Sequence, residues 1–93
     1  MKLKMISTFR RAALALSDLT EGSSGVLAEL DLPPRVAEHL MNLGFIPGVE
    51  VTVARSGPGG DPRIYRVDGA EVALRRDLAR HIAVSEIDGK AEA

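Results

Sequence analysis

The stretch that most constrains this chain is Leu40-Met41-Asn42-Leu43-Gly44-Phe45-Ile46-Pro47-Gly48. It compresses a helix end, a sharp turn and the approach to a strand into a few residues. Gly44 stands where a helix needs a left-handed C′ residue, a conformation glycine reaches without a Cβ clash. Phe45 then falls at C″ and Leu40 at C3, the pair whose apolar contact accompanies a Schellman ending. Ile46-Pro47-Gly48-Val49 has proline at i+1 and glycine at i+2, as a type II turn requires. Val49, Val51 and Val53 then alternate with Glu50, Thr52 and Ala54, which is strand period.

Around this hinge the chain reads as short strands separated by turn chemistry. Val26, Ala28 and Leu30 share one face of a predicted first strand, with Leu27 and Glu29 on the other. Asp31-Leu32-Pro33-Pro34 ends that strand, because a residue before proline is held extended. Pro34 suits the first position of a helix, where its missing N–H costs nothing. The helix, about Pro34 to Leu43, carries Val36, Leu40 and Leu43 on one apolar stripe at i, i+4 and i+7.

After the second strand, Ser56-Gly57-Pro58-Gly59-Gly60-Asp61-Pro62 is a loop of turn formers. A third strand, about Arg63 to Val67, turns Tyr65 and Val67 inward and Ile64 and Arg66 outward. Asp68-Gly69 is a tight-hairpin signal, and strand four, Glu71 to Leu74, turns Val72 and Leu74 inward. Arg75 to His81 reads as a short helical turn with Leu78 toward the core. Ile82 to Ile87 is the last strand, and Lys90 to Ala93 a frayed end. Five short strands and one helix predict a mainly β fold with a short inserted helix, a small β-barrel.

Composition narrows the function classes. A chain of 93 residues is one domain. It has no cysteine, which removes disulfides, thiol catalysis and Cys-based metal or cluster sites and fits a cytoplasmic location. No apolar run approaches the roughly 18 residues of a membrane-spanning helix. Residues 1–17 carry Lys2, Lys4, Arg10 and Arg11 and no acid; the rest holds the other eight basic against all thirteen acidic side chains, a balance of −5. An acidic body disfavours nucleic acid, whose binding is dominated by neutralised phosphates. Phe9, Phe45 and Tyr65 are too few aromatics for a stacking platform.

The positive start followed by Ala12-Ala13-Leu14-Ala15-Leu16 invites a signal-peptide reading, but Arg10-Arg11 interrupts the apolar run from its beginning. Ile6, Phe9, Ala13 and Leu16 follow helical spacing. That spacing fits a basic amphipathic helix at a membrane or partner surface, against the blander reading of a frayed extension or a turn folded back on the domain, which is preferred.

Catalytic chemistry finds no constellation here: the serines and threonines sit in no nucleophile context, and no paired carboxylates are marked by spacing. The loop at Gly57–Asp61 lacks the pattern and the following helix of a phosphate cradle. For metal, the imidazoles are His39 and His81, and Asp77 with His81 forms an i, i+4 pair on the predicted helical turn. Two ligands fall short of the three or four a site needs, so neither metal nor cofactor is expected. Arg75-Arg76-Asp77-Leu78-Ala79-Arg80-His81 is the one basic cluster of the body, either a solvated face or a patch for an acidic partner.

Leu43-Gly44-Phe45-x-Pro47-Gly48 resembles the central motif of FeoA-type domains, the small SH3-like proteins of bacterial ferrous iron transport. The resemblance continues through Pro58-x-Gly60-Asp61-Pro62, Val67-x-Gly69, Ala73-Leu74-Arg75 and Ile82-x-Val84, and Leu16-Ser17-Asp18-Leu19 with Gly22 and Gly25 is similar to the family's opening. It implies a small SH3-like barrel with the helix inserted after the first strand, and the organisation 1–15 basic extension, 16–88 domain and 89–93 tail. It also implies a non-enzymatic adaptor of ferrous iron uptake, peripheral to the membrane through its partner and open to self-association. That partner is FeoB, a transporter whose cytoplasmic part contains a G-protein domain.

The family pattern also has arginine at the position of Arg75. The expected docking residues are Arg75, Arg76 and Arg80, with Pro58 and Asp61 of the neighbouring motif. Where the family usually has an apolar residue after Gly60-Asp61-Pro62, this chain has Arg63, a departure that touches the start of strand three. Two alternatives stand beside the adaptor: a metal-responsive regulatory module, since similar domains end certain repressors, acting here in trans, and a nucleic-acid-binding SH3-like barrel.

Overall fold

Two short helices and six strands follow the order β1 (Leu14–Ala15), β2 (Ser24–Leu30), α1 (Pro34–Asn42), β3 (Glu50–Ser56), β4 (Arg63–Val67), β5 (Ala70–Leu74), α2 (Arg76–Ala79) and β6 (Ile82–Glu86). The structure is a computed structural model and describes residues 14–86. The expected stripe through Ile6, Phe9 and Ala13, the end of the last strand at Ile87 and the C-terminal tail lie outside the described residues. The strands form one antiparallel sheet in the order β1-β6-β2-β3-β4-β5.

A sixth strand was not anticipated. β1 is two residues long, pairs Leu14 with Val84 and Ala15 with Ala83, and runs into a 3-10 turn at Leu16–Asp18. Two residues carry no readable period, so only the partner β6 defines it. The sheet's outer strands, β1 and β5, do not pair with each other, so the barrel is an open SH3-like sheet rather than a hydrogen-bonded cylinder. Its two ends approach through their continuations, with α2 packed on the 3-10 turn after β1.

The hinge forms as its residues require. α1 ends with Leu43 as C-cap and Gly44 at φ +111°. The Phe45 N–H donates to the Leu40 carbonyl at 3.0 Å and the Gly44 N–H to that of Met41 at 3.0 Å, the paired bonds of a Schellman motif. Leu40 and Phe45 are both buried. Val49 N–H then donates to the Ile46 carbonyl at 3.0 Å across Pro47 and Gly48, whose φ of +98° fits the third position of a type II turn. Leu43 departs from the expected stripe at 39% exposure. As the cap residue it sits where the chain leaves the helix, so its side chain is carried off the apolar face.

Two further expectations are corrected by local geometry. In β2 the buried residues are Gly25 and Leu27, while Val26 and Ala28 are exposed. A bulge between Leu27 and Glu29 interrupts the pairing with β6 and breaks the simple alternation, which lets Leu30 pack back against the core. In α2 it is Ala79 that is fully buried, and Leu78 is only partly so. The close packing of α2 on the 3-10 turn favours the smaller side chain at the innermost position.

Elsewhere the inward positions fall as the alternation predicts: Val51, Val53, Tyr65, Val67 and Leu74 are buried, and Val72 packs partly against them. The Asp68-Gly69 turn joins β4 and β5 with both φ values positive, +50° and +82°. Arg63 begins β4, pairs with Leu74 and Ser56, and sends its guanidinium inward to the Leu19 carbonyl. The family departure is thereby absorbed as a tie between β4 and the lead-in to β2.

Truncating Leu40 to Ala is expected to cost about 2–5 kcal/mol, while Leu43→Ala stays within about 0.5 kcal/mol. Urea denaturation of the two variants checks this contrast, and equal losses would mean that the helix face is misassigned. Burial pushes the Tyr65 phenol above its ordinary range, outweighing the nearby Arg63 guanidinium. A raised folded-state pKa gives stability that is complete below the unfolded value of about 10 and lost as pH rises through the folded one. The single tyrosine of the chain should therefore ionise, by ultraviolet titration, only as the protein unfolds in alkali, and Tyr65→Phe should flatten that alkaline loss.

Candidate partner-docking surface

α2 follows directly from β5, and Arg75 is its N-cap in extended geometry with no side-chain cap of its own. The first free N–H of the helix, that of Arg76, is accepted by the Asp61 carboxylate at 2.9 Å. That bond satisfies one of the donors a helix start leaves open and puts a negative charge at its positive end. It also pins the 57–62 loop to α2, so Asp61 and Arg76, which were read separately from the sequence, come together. The loop is closed on itself by Gly57 N–H to the Pro62 carbonyl at 2.8 Å and Gly60 N–H to the Gly57 carbonyl at 2.9 Å.

Arg75, Arg76 and Arg80 are all exposed, as are Pro58, Asp61 and Asp77. The surface thus presents three guanidiniums on α2 and its flanks, with one carboxylate committed to the backbone and one, Asp77, diluting the charge. The remaining motif residues, Leu40, Gly44, Phe45, Pro47 and Gly48, build the hinge. The cap by Asp61 was not legible beforehand because donor and acceptor are 15 residues apart. Only the register of β4 and β5 puts the loop beside the helix.

The weak metal-ligand candidates, Asp77 and His81, are not on one continuous helix. α2 stops at Ala79, and the His81 N–H donates to the Leu78 carbonyl at 3.0 Å in a tightened last turn. Side chains of Glu29, Asp31, Arg80 and His81 border an open groove of about 420 Å³ beside β1 and β6. His39 lies exposed in the last turn of α1. Among the described residues no three His, Cys, Asp or Glu side chains converge on a position that could hold a metal ion. Among them, too, no helix is long and apolar enough to cross a membrane.

A second polar cluster went unread in the sequence. Glu71 of β5 receives Arg55 Nη2 at 2.8 Å and Arg66 Nη2 at 3.2 Å on the outer face of the sheet. The hydrogen bond from Arg55, then that from Arg66, holds the Glu71 carboxyl below the usual range. Arg66 and Glu71 are direct cross-strand partners, and a bulge between Val53 and Arg55 shifts the β3 register beside them. Exposed pairs of this kind contribute little to stability and serve to fix side-chain positions.

A solution structure of the FeoA protein from Chlorobium tepidum superposes on the fold with a TM-score of 0.76 at 31% identity, covering 80% of this chain and 70% of that one. A Stenotrophomonas maltophilia FeoA, described as complexed with zinc and as a procaryotic SH3 domain protein, gives 0.69 at 35% identity, covering 78% and 91%. Among curated proteins, a fusion of Fe(2+) transport protein A with the Fe(2+) transporter FeoB from Porphyromonas gingivalis is 31% identical over 78 residues. That match takes in 84% of this chain but only 9% of the fusion protein's length. The model of the FeoA domain matches residues 14–86, the whole of the described fold. The chain belongs to the FeoA domain family.

Proposed function

We propose that this chain is a non-enzymatic accessory protein of ferrous iron uptake that docks on the cytoplasmic part of a FeoB-type transporter and modulates its assembly or activity. The observation that carries this reading is the Porphyromonas gingivalis protein, in which a domain similar to this one is joined to a FeoB transporter in a single polypeptide. Covalent joining keeps two units at high effective concentration, which suits partners that act together. The adaptor role also accords with a rigid small scaffold presenting loops, since binding residues concentrate on such loops.

The docking surface in this reading is the basic face of α2 with the pinned 57–62 loop. Arg75, Arg76 and Arg80 would meet an acidic patch of the transporter, with Pro58 and Asp61 at the margin. Charges of this sort steer encounter and fix orientation, and their loss shows in on-rate and salt dependence. Reversing Arg76 and Arg80 leaves untouched the Arg76 backbone N–H that Asp61 accepts.

The double variant Arg76→Glu/Arg80→Glu is therefore expected to melt within about 0.5 kcal/mol of the parent. It should bind the transporter's cytoplasmic domain at least roughly tenfold more weakly, about 1.4 kcal/mol. Binding isotherms at two salt concentrations beside a melting curve measure this; unchanged affinity in the folded variant would remove this face from the contact. Anaerobic titration with Fe²⁺ is expected to give no stoichiometric site tighter than about 10 μM. A one-to-one isotherm abolished by His81→Ala would restore His81 as a ligand.

A further inference from the structure

Of the two outer strands of the sheet, β5 is the longer among the described residues. It pairs with β4 over five consecutive residues, from Val67↔Ala70 to Arg63↔Leu74, without a bulge. The two-residue turn at Asp68-Gly69 makes Val67–Ala70 the closing hydrogen-bonded pair. Alternation along an antiparallel ladder then assigns Tyr65–Val72 and Arg63–Leu74 as the other hydrogen-bonded pairs. The N–H and C=O groups of Glu71 and Ala73 consequently point away from β4, toward the open edge.

Proteins commonly protect such an edge with proline, a bulge, a lysine or an inward charge. β5, Ala70-Glu71-Val72-Ala73-Leu74, has none of these. Its one charged side chain, Glu71, is drawn back over the sheet by Arg55 and Arg66. Ala73 presents only a methyl group beside the edge, and Val72 is half-buried with apolar surface left to cover.

The charge pattern of the strand is self-complementary. With Glu71 opposite Ala73 of a second β5 and Val72 facing its twin, both pairs of outward backbone groups are used at once. No carboxylate then faces another directly, whereas a shift that set Glu71 against Glu71 would do so. On the outer face, each Glu71 then has both Glu71 and Arg75 of the other strand as diagonal neighbours, so one arginine from each copy stands beside the two carboxylates, within reach of long side chains. The Asp68 end of one β5 meets the Arg75 end of the other.

We propose that the open edge of β5 pairs antiparallel with β5 of a second copy of this chain, making one continuous sheet across a two-fold axis. The contact is small and falls at the weak end of specific interfaces. It shares Arg75 with the proposed docking face, but substitutions at Ala73 leave all three arginines in place, so self-association and transporter binding are separable by mutation.

Sedimentation equilibrium of the whole chain is expected to show a monomer–dimer equilibrium with a Kd of about 0.1 mM, weakening with salt. Ala73→Pro should raise that Kd at least roughly tenfold without lowering the melting temperature, because the lost N–H is not part of the β4 ladder and edge strands tolerate proline. Ala73→Glu, which sets a carboxylate opposite Glu71 of the other copy, should do the same by repulsion and tests the pairing independently of any strain in the proline variant. The chain has no cysteine, so Val72→Cys introduces a single thiol. A non-hydrogen-bonded antiparallel pair separates its Cα atoms by about 4.5 Å, within disulfide range, so mild oxidation should cross-link Val72→Cys but not Ala70→Cys. A chain that stays monomeric at about 1 mM, or a dimer that survives both Ala73 variants, would overturn the proposal.

Discussion

The tie between Leu40 and Phe45 across the end of α1, a backbone hydrogen bond between two buried residues, is what the remainder of the structure is hung on. The two side chains lie on either side of a chain reversal that only Gly44, at φ +111°, makes without strain. Their burial holds the helix against the sheet, and the same reversal aims the chain into the type II turn that starts β3. Because Gly48 N–H donates to the Leu27 carbonyl and Leu27 N–H to that of Val49, the turn is fastened directly to β2. Helix, turn and two central strands therefore share one junction. A domain this small buries a modest fraction of its surface, so losing that junction would remove a large part of its margin.

What was legible in the sequence was whatever is encoded within about five residues. The Schellman ending, the type II turn, the Asp68-Gly69 hairpin and the inward faces of β3 and β4 each depend on residue types at fixed local offsets. The parts that escaped depend on pairing at a distance. β1 is a strand only because β6 lies beside it, and the bulge in β2, set by its register with β6, lets both Leu27 and Leu30 face the core. Leu43 follows the apolar spacing yet is displaced by the cap it helps to form. Ala79 outranks Leu78 in burial because α2 rests on the 3-10 turn, a contact no local pattern announces.

The candidate surface divides in the same way. The basic run on α2 is visible in the sequence, and so is the turn-rich loop with Pro58 and Asp61. Their junction is not, since it consists of one carboxylate accepting one backbone N–H from a helix too short to hold its own start. Asp61 is on this account a structural residue within the motif, and its placement makes the loop and α2 a single unit. The Arg63 guanidinium bonds inward to the Leu19 carbonyl and so adds nothing to the outer charge.

Two polar devices therefore do different work on the two ends of β5. At its C-terminal end the arginines of α2 form no ion pair among the described residues, and Asp61 is occupied with the backbone. Along the strand itself, Arg55 and Arg66 occupy Glu71 and draw its charge away from the edge. Electrostatics here costs the fold little, as exposed pairs contribute little to stability. Its effect is to decide which surface offers charge and which offers bare backbone. A domain with one face of each kind can meet opposite charge at the first and a strand at the second without changing its core.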